Sequence, residues 1–290
     1  MTPEPNDRTG PGTMFPGLFF AAAARPHLLL PAWMAALTGA SFQAVSTGVH
    51  PPASLQLTGL TGWSMVLLAV NLANLLSDRE SDLLNAKNLF PWRILEPRTV
   101  AAGTASLALA GLLLTAWLRP RLLFPAVLTL GLGLAYSLPP VRLSSRPGWD
   151  LAAHLMGYGL LAPWVGALLV EDFTAGSNWS VTPALGVPGP AAAYLLPLVG
   201  VTYLLTALLD LKGDRIAGKE TSAVALARRW PGFETLSSLP VVRSEVIAWI
   251  FLGVILAGIP GLRAWPETVV PLVIWLGLSY GLLRVVRKLE

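Results

Sequence analysis

The 290-residue chain contains no cysteine, which excludes a disulfide framework and any thiolate metal site. Charge is scarce as well: Asp, Glu, Lys and Arg make up 12% of the residues, about half of the roughly 25% usual in soluble globular proteins. There is no HExxH pair, no phosphate-binding glycine loop and no nucleophile motif, so the chain lacks the signatures of zinc proteases, P-loop enzymes and serine hydrolases. A basic tail or patch is also missing. The net charge of +4 and pI near 9.7 come from Lys and Arg scattered between apolar runs, a distribution that excludes nucleic acid as the partner.

What the chain has in quantity is apolar surface. Hydrophobic residues reach 54% and the mean hydropathy is +0.61, more than a soluble protein of this size can bury, so lipid is the solvent that fits. Apolar windows of about 20 residues predict spans near 28–48, 59–80, 99–118, 121–139, 151–170, 191–211, 245–261 and 267–286. The fold class is therefore all-α, a polytopic transmembrane helical bundle of eight to nine helices. Residues 1–24 read as a polar N-terminal segment that matches a cleavable signal peptide poorly, and residues 25–290 as one transmembrane domain. The stretch Thr221 to Trp230 is amphipathic and suits the membrane surface.

Basic residues orient the bundle. With eight spans, all of the 20 Lys and Arg except Arg119, Arg121 and Arg263 fall on the side that holds both termini. The positive-inside rule makes that side cytoplasmic, which predicts a multi-pass protein of the cell membrane with both termini inside.

Two acidic clusters lie at the cytoplasmic ends of spans two and six. The first, Asn74-Leu75-Leu76-Ser77-Asp78-Arg79-Glu80-Ser81-Asp82, places Asn74, Asp78 and Asp82 four residues apart, on one ridge of a helix. The second, Asp210-Leu211-Lys212-Gly213-Asp214-Arg215, repeats the spacing with Asp210 and Asp214. Stacked like charges destabilise an isolated helix and cost more at the rim of a bilayer, a cost that a bound cation offsets. Mg²⁺ takes one or two carboxylates and completes its shell with water and substrate phosphate oxygens, so the pattern predicts a metal–diphosphate site with Asp78, Asp82, Asp210 and Asp214 as its catalytic carboxylates. Arg79, Lys212, Arg215, Arg142 and Arg146, on the same side, are candidates to neutralise the phosphates.

These two motifs, with Tyr136-Ser137-Leu138-Pro139-Pro140-Val141-Arg142-Leu143 after span four, resemble the UbiA superfamily of intramembrane prenyltransferases. The resemblance runs from Arg25-Pro26 to Thr221 and follows the family order: an NDxxDxxxD motif, a YSxPPxRLK loop, then DxxxD with a following GDRxxGK. It implies Mg²⁺ as cofactor, with Asn74, Asp78, Asp82, Asp210 and Asp214 as metal-binding positions. It also implies an isoprenyl diphosphate substrate near Asn74, Tyr136, Ser137, Arg142, Arg146 and Lys212, and a lipophilic acceptor of the prenyl group. Leu75 stands where the family has its first aspartate, Ser144 where the loop has lysine, and the Arg-Pro that follows the first motif is absent from Ala86 to Arg93.

Other residues carry less specific information. His154, one turn after Asp150 and one turn before Tyr158 on span five, suits an acceptor pocket or proton transfer, and equally a polar contact between helices. Trp33, Trp92, Trp149 and Trp265 fall near span ends, as an aromatic belt does. Besides a transferase, the motifs allow a membrane terpene cyclase, in which the substrate's own double bonds capture the cation. A transporter would place its charges at discontinuous helices near the midplane, whereas these carboxylates lie at helix ends.

Overall fold

Each apolar run in the first three quarters of the chain becomes a helix. The computed structural model describes residues 23–84, 95–175 and 189–236. The spans expected at 245–261 and 267–286, the Ala86 to Arg93 stretch and nearly all of the 1–24 segment lie outside the described residues. Helix α1 is Leu29–Thr47, α2 Ala53–Leu84, α3 Pro97–Leu118 and α4 Leu123–Ser137. Helix α5 runs through an α-helical Trp149–His154, a π-helical Leu155–Leu161 and an α-helical Ala162–Ala175. Helix α6 is Gly189–Ile216, followed by the short α7, Ser222–Arg229, and the single turn α8, Gly232–Thr235. No strand occurs among the described residues.

Five of these helical segments are long and apolar enough to cross a membrane: Gln56–Leu84, Pro97–Leu118, Pro120–Ser137, Trp149–Phe173 and Gly189–Ile216. Large apolar side chains are exposed on several of them. Leu109, Leu113 and Trp117, one helical turn apart on α3, are 62%, 62% and 74% exposed, a stripe that water would penalise and acyl chains solvate. Helix α1 forms where the sequence predicts a span but falls outside that apolar set. It carries Thr38, Ser41, Gln43, Ser46 and Thr47, and most of its residues are buried against the rest of the bundle. Protein, more than lipid, is the solvent of α1.

Its principal partner is α5. A Cβ on Gly39 would lie 1.9 Å from the Pro163 carbonyl oxygen, and one on Gly166 would lie 1.6 Å from that of Ala36, so the two backbones touch where small residues meet. Around this contact Met34, Leu60, Trp63, Leu122, Leu168, Leu169 and Leu195 build the main core. Trp33, read in sequence as an interfacial residue, packs against that core and donates from Nε1 to Ser64 Oγ at 2.8 Å. Trp149 is 61% exposed, as a belt residue is. At the end of the bundle away from the acidic motifs, Arg119 pairs with Asp172 at 3.2 Å and Arg121 approaches it at 3.9 Å.

Candidate active site

The ridge of α2 and the ridge of α6 meet across one cavity. At about 1.5 Å per residue, the 32 residues of α2 extend roughly 48 Å, longer than a hydrocarbon core of about 30 Å, and its C-terminal turns carry the acidic motif. Asn74, Asp78, Ser81 and Asp82 line the cavity from α2, and Tyr203, Thr206, Ala207, Asp210 and Asp214 line it from α6. The space they enclose is about 190 Å³. Leu75, at the position of the family's first aspartate, is fully buried among Ala23, Ala24, Leu72 and Val100. That substitution therefore falls in a helix contact, outside the cavity wall.

Two basic residues reach into the ring of carboxylates. Lys219 Nζ lies 2.6 Å from Asp78 Oδ1, and Arg25 donates to Asp82 Oδ2 at 2.9 Å. Lys219 is aimed by the way α6 ends. Gly218 adopts φ +68°, the left-handed conformation that favours glycine. The Lys219 amide then donates to the Asp214 carbonyl at 2.8 Å and the Gly218 amide to Arg215 at 3.3 Å, the paired bonds of a Schellman cap. One residue thus joins the two acidic motifs, its backbone to α6 and its side chain to α2.

The remaining wall is aromatic. Tyr136, His154 and Tyr203 border the cavity, with the His154 ring 4.3 Å from that of Tyr203 and 5.1 Å from that of Tyr136, centroid to centroid. Asp150, completely buried, holds this wall in place from behind. Its carboxylate accepts from the Tyr203 hydroxyl at 2.6 Å, from the Ser222 amide at 2.6 Å, from the Ser222 hydroxyl and from its neighbour Leu151 N–H at 2.8 Å. Thr221 caps the N-terminus of α7, accepting from the Val224 amide at 3.3 Å, which presents Ser222 to Asp150. Asp150 therefore serves as a junction between α5, α6 and α7 and does not line the cavity. Ser144 does line it; the residue is 2% exposed and its hydroxyl has no hydrogen-bond partner.

The sequence-predicted residues divide accordingly. Asn74, Asp78, Asp82, Tyr136, His154, Asp210 and Asp214 come together around the cavity. Ser137 is buried beside it and donates to Asn74 Oδ1 at 3.4 Å. Arg142, at φ +40°, donates to the Ser77 carbonyl at 3.2 Å and so fastens the α4–α5 loop to α2. Arg146 bonds the Pro140 carbonyl on the exposed side of that loop, Lys212 faces outward, and Arg215 pairs with Glu234 at 3.1 Å. Arg25, Lys219, Tyr203 and Ser144 enter the cavity without having been singled out as binding residues. For Lys219 a sequence signal existed, since it closes the GDRxxGK stretch.

The donor set fits Mg²⁺. Among the described residues no three His, Asp or Glu side chains converge on one point; the carboxylates line the cavity from two different helices. An all-protein Ca²⁺ cage needs six to eight converging oxygens, whereas Mg²⁺ uses few protein ligands and fills its octahedron from water and phosphate.

The model of the UbiA prenyltransferase family matches residues 32–289. The chain belongs to this family. Its fold is shared with a UbiA homolog from Archaeoglobus fulgidus. The structure of that homolog bound to DMAPP and Mg²⁺ has a TM-score of 0.59 at 18% identity, covering 92% of this chain and 99% of that one. The form bound to GPP and Mg²⁺ gives 0.57 at 19% identity over 91% and 99%, and the form bound to Cd²⁺ gives 0.56 at 18% identity over 90% and 97%. No curated protein matches the chain. Family membership and the apolar helices together make it a membrane protein of prenyltransferase type.

Proposed function

We propose that the protein is an intramembrane prenyltransferase that ionises an isoprenyl diphosphate with Mg²⁺ and passes the prenyl group to a lipophilic acceptor. One observation carries this reading: the carboxylates of two distant motifs and an aromatic wall enclose the same cavity. The solved relative from Archaeoglobus fulgidus, bound to DMAPP or GPP with Mg²⁺, supports it. When bound, Mg²⁺ supplies Lewis-acid stabilisation of the charge that grows on the departing diphosphate.

The protein's own groups do the rest. Asn74, Asp78 and Asp82 present oxygens from α2, and Asp210 and Asp214 present them from α6. Lys219 and Arg25 add positive charge, and Ser144 offers a hydroxyl donor where the family has a lysine. Tyr136, His154 and Tyr203 form an aromatic wall that keeps water from the allylic cation. Residues 25–290 act as one domain in this reading, with the site and both termini facing the cytoplasm.

The aromatic wall also favours a second reading, a terpene cyclase, because π faces can steer a cation through ring closure. Purified protein given geranyl diphosphate and Mg²⁺ alone separates the two. A transferase makes little product until a lipophilic acceptor is added, whereas efficient formation of a cyclic terpene without acceptor would replace the first reading by the second. Absence of any diphosphate release, with and without added acceptor, would reject both.

A further inference from the structure

Both first-motif carboxylates are already engaged by cations of the protein itself. The Lys219–Asp78 pair is 2.6 Å long with side chains 10% and 15% exposed, and the Arg25–Asp82 pair is 2.9 Å long with both side chains 13% exposed. A divalent ion entering alone would have to take Asp78 from Lys219. It would also leave an ammonium beside the metal in a space of about 190 Å³, where partial burial makes an unpaired charge costly. A diphosphate entering with the ion removes that difficulty, since it supplies a new partner for each displaced cation.

We infer that Lys219 and Arg25 are exchangeable counterions. They occupy Asp78 and Asp82 until a diphosphate arrives, then turn from carboxylate to phosphate, so that metal and diphosphate bind as a coupled pair. The inference rests on the cavity being a metal–diphosphate site.

Lys219 is built for such an exchange. Its backbone is pinned by the 2.8 Å bond from its amide to the Asp214 carbonyl, and its ammonium rides on a flexible four-carbon stem with three donors. Rotation of the side chain alone can redirect the charge across the cavity. The guanidinium of Arg25 matches phosphate geometry equally well. Arg25 enters from the segment before α1, so the exchange draws on three separate parts of the chain: residue 25, α2 and the α6–α7 turn. By linkage, whatever raises affinity for the metal when diphosphate is bound raises diphosphate affinity equally when metal is bound.

The test uses the purified full chain and two separate titrations, Mn²⁺ alone followed by electron paramagnetic resonance, and geranyl thiodiphosphate, which resists ionisation, at saturating Mg²⁺. In Lys219→Gln, Mn²⁺ alone should bind about tenfold tighter and the thiodiphosphate about tenfold weaker, within the usual range of coupling between sites. Lys219→Arg should restore both toward wild type. Opposite shifts are the signature, because mere structural damage weakens both ligands. If Lys219→Gln fails to fold, Arg25→Gln, acting through Asp82, is expected to behave in the same way. Wild type that binds the thiodiphosphate, with Mn²⁺ affinity unchanged or lowered in the folded variant, overturns the exchange and leaves the functional reading standing. Wild type that binds no thiodiphosphate with Mg²⁺ overturns that reading and the exchange with it.

Discussion

The Tyr203 hydroxyl donates to Asp150 Oδ2 at 2.6 Å, across 53 positions of sequence, and both residues are buried. The bond fixes one ring of the cavity wall to a carboxylate that itself sits outside the cavity.

Removing that carboxylate leaves the Ser222 amide, the Ser222 hydroxyl and the Tyr203 phenol without their acceptor. Asp150→Ala should therefore cost about 3 kcal/mol, and Tyr203→Phe, which removes a single donor, about 1 kcal/mol. Thermal unfolding of the purified protein in detergent measures both. An unchanged midpoint in Asp150→Ala would show that the junction does not hold α5, α6 and α7 together.

Asp78→Ala and Asp210→Ala should each lower Mg²⁺-dependent diphosphate release by about a hundredfold or more, since even the partners behind a metal's ligands are worth 10- to 100-fold. Circular dichroism should show the helical content of both variants intact. Near-wild-type turnover in either one would remove that aspartate from the metal site.

The absence of cysteine makes topology directly accessible. A single cysteine at Ser46, exposed at the end of α1, should react with an impermeant thiol reagent in intact cells. One at Ile216, 61% exposed at the end of α6, should react only after permeabilisation. The reverse pattern would invert the proposed orientation.

Much of this architecture was legible in the sequence because lipid imposes a coarse rule. A continuous apolar run must become a helix there, and the predicted runs 99–118 and 191–211 fall inside Pro97–Leu118 and Gly189–Ile216. Four-residue spacing likewise sufficed to put Asn74, Asp78 and Asp82 on one face of α2. Contacts between distant segments were not legible. Nothing local in Arg25 or Lys219 reveals that their partners lie 57 and 141 positions away. Asp150 read as a neighbour of His154 in an acceptor pocket, yet the capped start of α7 covers it with Ser222. Leu75 stands where the family has its first aspartate, but the turn between Asn74 and Asp78 points it into the contact with Ala23, Ala24 and Val100.

The backbone contact between α1 and α5 also bears on how the protein is made. Helix α1 leaves the ribosome before α5, and Gly39 reaches its final depth only against Pro163. Until α5 has been synthesised, α1 can keep contacts with α2, such as that of Trp33 with Ser64, but lacks its principal partner. Its settling against α5 is thus a late event in biogenesis, and an early helix waits on a later one for its closest backbone contact.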